Sequence, residues 1–421
     1  MSFERIRDPV VGEDVVRFTT ASGLRVRVLP RPALSETAAV ITFAYGSTDL
    51  RFRRGAEVVE TPAGTAHYLE HKLFEDEELA VFQRFGARGA RVNAQTGFTR
   101  TTYFFQASDR IDENLGDLLR LVGKPHITAE NVQKERGIIA QEVRMYEDSP
   151  DHCTAFLLLA ALYPEHPVRH TVGGTVASIE QITPEVLLQS WAAFYRTGNA
   201  ALAVAGPVTP EQVQALAEAC PLPAGPAPER FTAADFGPAG APRAERSMSV
   251  ARSKLLFGLK ERREATSWRA RAERAAATGV VLDRLFAASS ELREAMHRRG
   301  EVDDTLGAGY MGERGFGVAT VGCDADDPAA AERAVRRALF ADVRFDDEQL
   351  ERLRRRQLGA YVRGCESARA LAFGHAHEEL EGAPPFEGLQ VLEHLQLDDV
   401  EARRAELLRE ENVALAVTRR A

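Results

Sequence analysis

The two halves of this 421-residue sequence end in closely similar segments of strand type. Residues 198–206 read GNAALAVAG, and residues 411–419 read ENVALAVTR. Each half also begins near an apolar segment, AAVITFAY at 38–45 and VARSKLLFGL at 250–259. Similar segments at a fixed spacing indicate a duplicated unit, here of about 200 residues. Short strands rich in Ala and Val also recur by chance, and the sequence alone leaves that alternative open.

A stretch rich in Pro, Ala and Gly, PLPAGPAPERFTAADFGPAGAPRAE at 221–245, lies close to the middle of the chain. It has no sustained apolar period and is typical of a linker. The chain is also too long for one ordinary hydrophobic core. We therefore predict an α+β unit at 1–220, a linker at 221–245 and a second homologous unit at 246–421. Each unit is expected to be an antiparallel sheet with helices packed on one face.

Periodicity and capping residues place the individual elements. Alternation of apolar and basic residues predicts a half-buried strand at Leu24–Leu29, expected to pair antiparallel with a more buried strand at Ala38–Tyr45. Thr61 followed by Pro62 is a typical helix start. Further predicted elements are a strand at Thr101–Gln106 and helices at Glu77–Phe85, Thr128–Asp148, Asp346–Arg363, Ala368–Glu381 and from Ser267 to about Arg299.

Charge and cysteine content argue against several classes of protein. The formal net charge is −9 and no long basic block occurs, so neither nucleic acid nor a membrane surface is an expected partner. Four cysteines are scattered without a CxxC pair, which is typical of reduced thiols in the cytoplasm. The N-terminal residues lack a secretory apolar core, and the longest apolar run, 156–163, is too short to cross a bilayer. We expect a cytoplasmic protein.

The segment HYLEH at 67–71 carries the residues that point to chemistry. In a helix, His67 and His71 lie one turn apart on one face and can direct imidazole nitrogens to one ion. Glu70 lies beside them, placed to contact a metal-bound water. HxxEH is the inverse of the HExxH zinc motif, and two His plus one carboxylate with an open fourth position is a catalytic zinc arrangement. A polar stripe on a surface helix would have the same sequence, so the neighbourhood decides.

A third ligand is expected on the long helix predicted further along the chain. Glu135 and Glu142 are spaced so that both lie on one helical face, and Ile138 and Ile139 between them predict that this face packs inward. Two inward carboxylates are costly unless a positive charge accompanies them. A Zn²⁺ ion would supply that charge, and either glutamate is a candidate ligand.

Four motifs follow one another along the chain: AHYLEHKLFE at 66–75, RVNAQTGFTRTTYFF at 91–105, ERGIIAQEVRMYEDSPD at 135–151 and LYPEHPVRHTVGGT at 162–175. Together they resemble the insulinase (pitrilysin) family of zinc metallopeptidases, in its short bacterial branch made of paired subunits. The resemblance is strong from 38 to 206 and weak in the second half. It implies a zinc metalloendopeptidase that hydrolyses extended peptides inside a closed chamber.

The resemblance also implies roles for individual residues. His67, His71 and Glu142 match the zinc ligands of the family, and Glu70 matches the general base that activates the zinc-bound water. Glu135 matches a further catalytic-site carboxylate that fixes a ligand or the charge of the site.

Substrate binding is the second aspect that the resemblance addresses. Asn93 and Ala94 match an edge-strand segment on which an extended peptide pairs backbone to backbone. Family members also use an arginine and a tyrosine from a later domain. Here ELREAMHRRGEVDDTLGAGY at 291–310 supplies Arg293 as a substrate-binding candidate, but Tyr310 lies far beyond Gly300, where the family's tyrosine is expected to follow closely.

The incomplete Arg/Tyr pair implies that this chain holds the metal half of a split active site. A homologous partner subunit that supplies the pair is the expected complement, and a homodimer using Arg293 in trans is the other arrangement. The alternative function is a non-catalytic structural or peptide-binding member of the same fold. Such members usually lose the ligands, which this chain retains.

Overall fold

The chain forms two compact units in a computed structural model that describes residues 3–75, 81–231 and 234–421. The first unit comprises 1–143, 171–232 and 358–387, and the second comprises 144–170, 233–357 and 388–421. Each unit thus includes a segment from the other half of the sequence. The sequence predicted two continuous units, 1–220 and 246–421, joined by a linker at 221–245. It did not indicate this exchange of segments, and the predicted domain boundaries stay a prediction.

The described residues form strands and helices with the following bounds. The strands are β1 (Glu4–Arg7), β2 (Asp14–Thr19), β3 (Arg25–Pro30), β4 (Thr37–Phe43), β5 (Arg51–Arg54), β6 (Glu57–Glu60), β7 (Arg91–Thr96), β8 (Thr101–Ala107), β9 (Ala200–Gly206), β10 (Arg243–Met248), β11 (Ser253–Lys260), β12 (Gly307–Glu313), β13 (Phe316–Ala325) and β14 (Val413–Arg420). The helices are α1 (Thr65–Leu73), α2 (Val81–Gly86), α3 (Ile111–Gly123), α4 (Ala129–Glu147), α5 (Pro150–Leu162), α6 (Val176–Ile179), α7 (Pro184–Phe194), α8 (Pro210–Glu218), α9 (Trp268–Phe286), α10 (Glu291–Arg298), α11 (Pro328–Leu339), α12 (Asp347–Gly364), α13 (Ala368–Leu380), α14 (Glu387–His394) and α15 (Leu397–Leu407). This arrangement confirms the predicted α+β class.

The two main sheets share one topology. The first unit has a seven-stranded sheet in the order β1-β2-β3-β9-β4-β8-β7, and the second has five strands in the order β10-β14-β11-β13-β12. The five strands from β3 to β7 in the first order match all five of the second. Even the single parallel pair recurs in the same place, β3 with β9 and β10 with β14, while the other pairs are antiparallel. This match supports a duplicated unit.

The predicted pairing of the strands at Leu24–Leu29 and Ala38–Tyr45 is wrong. In the structure β9 lies between β3 and β4 and pairs with both of them, parallel to β3 and antiparallel to β4. The reason is non-local, since β9 is contributed by residues far along the chain.

Both faces of the first sheet are covered by helices, so its burial goes beyond the predicted single helical layer. On β9, Leu202 and Val204 belong to the hydrophobic core, while Ala201 and Ala203 alternate with them and are also fully buried. Helix α13 packs on β9, β4 and β3. The alanines of β9 allow this helix to approach the sheet closely.

The basic residues of β3 contact α13, whereas the half-buried prediction had implied that they face solvent. Arg27 and Glu379 are both fully buried, and the Arg27 Nε donates to Glu379 Oε2 at 2.6 Å. Arg17 Nη2 donates to Glu379 Oε1 at 2.9 Å, and Arg25 Nη1 donates to the Glu379 backbone oxygen at 2.7 Å. Removing one partner of such a buried pair leaves an uncompensated charge. The pair therefore fixes which helix covers this face.

The start of one helix differs from the prediction. Helix α1 begins at Thr65, with Gly64 before it in a left-handed conformation at φ 94°, so the Thr61–Pro62 start is wrong. Helix α2 covers the end of the predicted Glu77–Phe85 helix, and the positions of that prediction before Val81 lie outside the described residues. Among the described helices, none is long and apolar enough to cross a bilayer.

Acidification is expected to destabilise the first unit through His375 on α13. Burial and the positive charges of Arg27 and Arg31 lower the pKa of His375 to about 3, and its Nδ1 lies 3.1 Å from Arg27 Nη1 and 3.7 Å from Glu378. The unfolded chain takes up this proton near pH 6.5 and the folded chain does not. Stability is therefore lost as pH falls from about 6.5 towards 3, by about 2 kcal/mol at pH 5.

Urea denaturation at pH 7.5 and pH 5, followed by the fluorescence of Trp191 in a Trp268→Phe background, measures this loss for the first unit. His375→Gln keeps a hydrogen-bond acceptor but removes the titrating group. Its pH dependence should be smaller by that amount, and an equal pH dependence in both variants would contradict the assignment to His375.

Candidate metal centre

The start of α1 is fixed by a close approach of two glycine-containing segments. A Cβ on Gly64 would lie 2.5 Å from the backbone oxygen of Gly173, and one on Gly174 would lie 2.4 Å from that of Ala63. Gly173 also lies against the His67 ring, because a Cβ there would be 3.6 Å from His67 Nδ1. The small residue before α1 therefore makes room for the 173–174 loop, which packs beside the first histidine.

Three side chains from two helices converge at one point in the first unit. His67 and His71 on α1 have ring centroids 4.6 Å apart, and Glu142 on α4 faces both rings. Glu142 Oε1 lies 3.7 Å from His67 Nε2, and Glu142 Oε2 lies 3.5 Å from His71 Nε2. One ligand atom from each of the three residues lies within 4.8 Å of the others.

These separations suit ligands of a shared ion better than hydrogen-bond partners. A hydrogen bond between nitrogen and oxygen spans about 2.7–3.2 Å, and both histidine–glutamate distances exceed that range. Two atoms bound at about 2.1 Å to a tetrahedral zinc lie roughly 3.4 Å apart. The donor set of two imidazoles and one carboxylate also fits zinc with an open position.

Glu135, the other candidate on α4, contacts the back of a histidine. Its Oε1 lies 3.0 Å from His71 Nδ1, on the opposite side of the ring from Glu142. Fully buried Lys72 stands behind it, with Nζ 3.9 Å from Glu135 Oε2, 2.9 Å from Glu75 and donating to the Asn131 oxygen at 3.0 Å. The structure thus brings Glu142 to the front of the imidazole pair and Glu135 behind it.

Glu70 is 8% exposed and lines a cavity. Thr96 at the end of β7 donates its hydroxyl hydrogen to Glu70 Oε2 at 2.6 Å. The cavity has a volume of about 470 Å³, and its lining includes Glu70, His71, Glu135, Asn93 and the stacked rings of Phe74 and Phe82. A substrate that entered this cavity would meet the glutamate and one histidine together.

Burial and charge shift the titration of these groups. Burial and the neighbouring His71 lower the pKa of His67 to about 4, so its imidazole is neutral at pH 7. Burial also opposes protonation of His71, but the hydrogen bond to Glu135 and the charges of Glu70 and Glu142 outweigh it and raise its pKa. The same hydrogen bond lowers the pKa of Glu135, whereas burial raises that of Glu70.

The predicted docking strand lies at an edge of its sheet. β7 is the last strand in the order of the first sheet, and β8 is its one strand partner among the residues that the structure describes. Asn93 is exposed and its Oδ1 accepts a hydrogen bond from the Ala94 N–H at 2.8 Å. The edge position agrees with the prediction, while peptide binding by these two residues stays a prediction.

Arg293 and Tyr310 both belong to the second unit. Arg293 donates from Nη1 to the Phe286 oxygen at 3.2 Å and from Nη2 to the Asp304 oxygen at 3.4 Å. Arg403 lies over the Tyr310 ring at 5.8 Å, and burial and the Glu261 charge raise the pKa of Tyr310. Both side chains are engaged within their own unit.

A charged pair joins two helices of the second unit. Helix α9 precedes β12 in the chain as α1 precedes the matching strand β7, and it carries Asp283. Asp283 forms an ion pair with Arg356 of α12, beside a cavity of about 140 Å³. A guanidinium is therefore the positive group at this helix pair.

Sequence reasoning missed two contacts and misjudged one residue. Thr96 and Lys72 both lie within the quoted motifs, but nothing in their spacing indicated contacts to Glu70 and Glu135. Ile138 is 49% exposed, so the prediction that both isoleucines pack inward is wrong for this one. Ile139 is fully buried because it points from α4 into the core, one residue further round the helix.

Comparison with known proteins identifies the family. The family model described as insulinase (peptidase family M16) matches residues 57–176. An uncharacterized zinc protease of Bacillus subtilis, YmfH, is 33% identical over 95% of this chain and 94% of its own length. The crystal structure of a putative M16-like peptidase from Alicyclobacillus acidocaldarius is 34% identical, with a TM-score of 0.92 over 100% of this chain and 99% of that one.

A more distant structure has the same fold. The peptidase M16 inactive domain from Pseudomonas fluorescens superposes with a TM-score of 0.79 over 97% of this chain and 98% of that one, at 18% identity. Three observations agree: sequence identity across nearly the whole length, the family match over the HxxEH segment and the shared architecture. This chain belongs to the insulinase family of peptidases, M16.

Proposed function

We propose that this chain is the metal-bearing subunit of a zinc metalloendopeptidase that hydrolyses extended peptides. The observation that carries the proposal is the convergence of His67, His71 and Glu142 within 4.8 Å, next to a cavity that Glu70 lines. A non-catalytic, peptide-binding member of the fold would have no need of both the ligand trio and the adjacent base. Membership of a family whose relatives are named zinc proteases supports the same proposal.

Each side chain of the site has its own role in the proposed reaction. When bound, zinc polarises the scissile carbonyl and lowers the pKa of its water to about 7. His67, His71 and Glu142 would hold the ion, and Glu135 orients His71 through Nδ1, which would leave Nε2 for the metal. Glu70 removes a proton from the water and passes it to the leaving amine.

The substrate is proposed to bind as an added strand along β7. An edge strand offers unpaired backbone groups, which recognise the extended backbone of a peptide whatever its sequence. Asn93 and Ala94 lie on this strand, and Asn93 also lines the cavity that contains Glu70. Peptides in extended form are therefore the proposed substrate class.

A homologous subunit is the proposed partner, in a cytoplasmic complex whose two halves close around the peptide. The support comes from Arg293 and Tyr310, which contact groups of their own unit. A partner that supplies a free arginine and tyrosine would complete the site, and a homodimer with Arg293 acting in trans is the other arrangement.

Replacement of Glu70 by Gln is expected to abolish cleavage and keep the metal. The amide still accepts the Thr96 hydrogen bond but cannot take a proton, so the rate should fall by about 10²–10⁴-fold. Zinc content by atomic emission and cleavage of a fluorogenic peptide measure the two effects. Wild-type cleavage by Glu70→Gln would remove Glu70 from the role of base.

Replacement of Glu135 by Gln is expected to weaken zinc binding without removing a ligand. The charge behind His71 is lost, and losses of this kind reduce metal affinity by about 10–100-fold. Competition with a fluorescent chelator measures the affinity. Glu130→Gln, an exposed change on the same helix, is the control, and equal affinities in both variants would show that Glu135 does not support the ligand.

Complementation is expected to separate the two proposed assemblies. If a different homologous subunit supplies the Arg/Tyr pair, Arg293→Ala leaves the activity of the mixed complex unchanged. If the active form is a homodimer, Arg293→Ala and His71→Ala chains are each inactive, and mixing them restores activity because one intact site forms. Full activity of this chain as a monomer in gel filtration would contradict both arrangements.

A further inference from the structure

The hydrogen bond between Thr96 and Glu70 joins a strand to a helix. Thr96 is the last residue of β7, and Glu70 lies in the middle of α1. The distance of 2.6 Å between Thr96 Oγ1 and Glu70 Oε2 is that of a charge-assisted hydrogen bond from a hydroxyl to a carboxylate. Such bonds are about twice as strong as those between neutral groups.

One carboxylate oxygen of Glu70 is thereby held while the side chain still lines the cavity. A glutamate side chain has three rotatable bonds, and its free rotation would scatter the carboxylate over several positions. Holding Oε2 restricts the positions available to Oε1, and the Thr96 backbone also contacts this carboxylate. A reacting group that is fixed before substrate binds loses less conformational entropy on the way to the transition state.

The same strand is the one on which the peptide is proposed to pair. Asn93 and Ala94 precede Thr96 on β7, so the proposed docking residues and the residue that holds the base lie on one strand. A movement of β7 would displace both together. The carboxylate thus keeps its position relative to a peptide that lies on this strand.

We propose that Thr96 is a positioning residue that fixes the general base Glu70 relative to the substrate strand. The proposal rests on the peptidase function proposed above. It assigns no contact between Thr96 and the peptide, the metal or the water. Its effect on catalysis passes through Glu70.

The neighbouring strand offers a matched control. Thr101 on β8 is the cross-strand partner of Thr96, is fully buried, and donates its hydroxyl to the Tyr45 oxygen at 2.8 Å. Thr101→Val removes a buried hydroxyl of the same sheet without touching Glu70. It therefore reports what the loss of a structural threonine does by itself.

The kinetic test compares Thr96→Val, Thr96→Ser and Thr101→Val. Thr96→Val should bind one zinc per chain and keep the wild-type KM, while kcat falls by about tenfold or more, as expected for loss of a hydrogen bond to a charged group. Thr96→Ser should restore kcat because the hydroxyl returns. Thr101→Val should lower the melting temperature and leave kcat unchanged. A wild-type kcat in Thr96→Val, or an equal loss in Thr101→Val, would overturn the proposal.

A structural readout separates this proposal from the proposed function. In zinc-loaded crystals, the Glu70 carboxylate should keep one orientation in the wild type and in Thr101→Val, and lose it in Thr96→Val. An unchanged orientation in Thr96→Val overturns the positioning role whether or not the chain cleaves peptides. Failure of the complete complex to cleave any peptide overturns the peptidase function instead, and the orientation still decides the role of Thr96.

Discussion

Three carboxylates lie around two imidazoles between α1 and α4. The rest of the site depends on how the negative charge of these carboxylates is balanced. Glu70, Glu135 and Glu142 surround the histidine pair, and the buried Lys72 offsets only part of their charge. Buried charges without partners are unfavourable. A divalent cation between Glu142 and the imidazoles would remove the excess, so the same packing that stabilises the fold also creates affinity for a metal.

In the second unit, an arginine side chain balances the charge of a carboxylate between two helices. The sheet of this unit repeats the strand order of the first, and α9 and α12 occupy the places of α1 and α4. There an aspartate and an arginine neutralise each other at the helix pair. The charge at this helix pair is therefore balanced without a bound ion.

The sequence predicted the parts of the site that depend on local geometry. The spacing of His67, Glu70 and His71 on one helix and the candidates on α4 followed from helical periodicity, and the edge position of β7 from the resemblance. The sequence did not predict what covers each face. Period-two alternation in β3 indicated a polar face, but only the folded chain shows that α13 buries Arg27 there. The insertion of β9 and the bond from Thr96 are likewise contacts between distant segments, which no local pattern encodes.

The exchange of segments between the halves of the chain has a consequence for biosynthesis. The first sheet leaves the ribosome early, yet the helix that neutralises Arg27 and seals the alanine face is made only after most strands of the second sheet. Until then the nascent protein exposes the apolar alanine face of β9 and the unpaired charge of Arg27. Exposed apolar surface of this kind favours misassembly. A chain truncated at the Pro-rich midpoint would never acquire α13. Stable folding of the metal-site half therefore depends on complete translation of the second half.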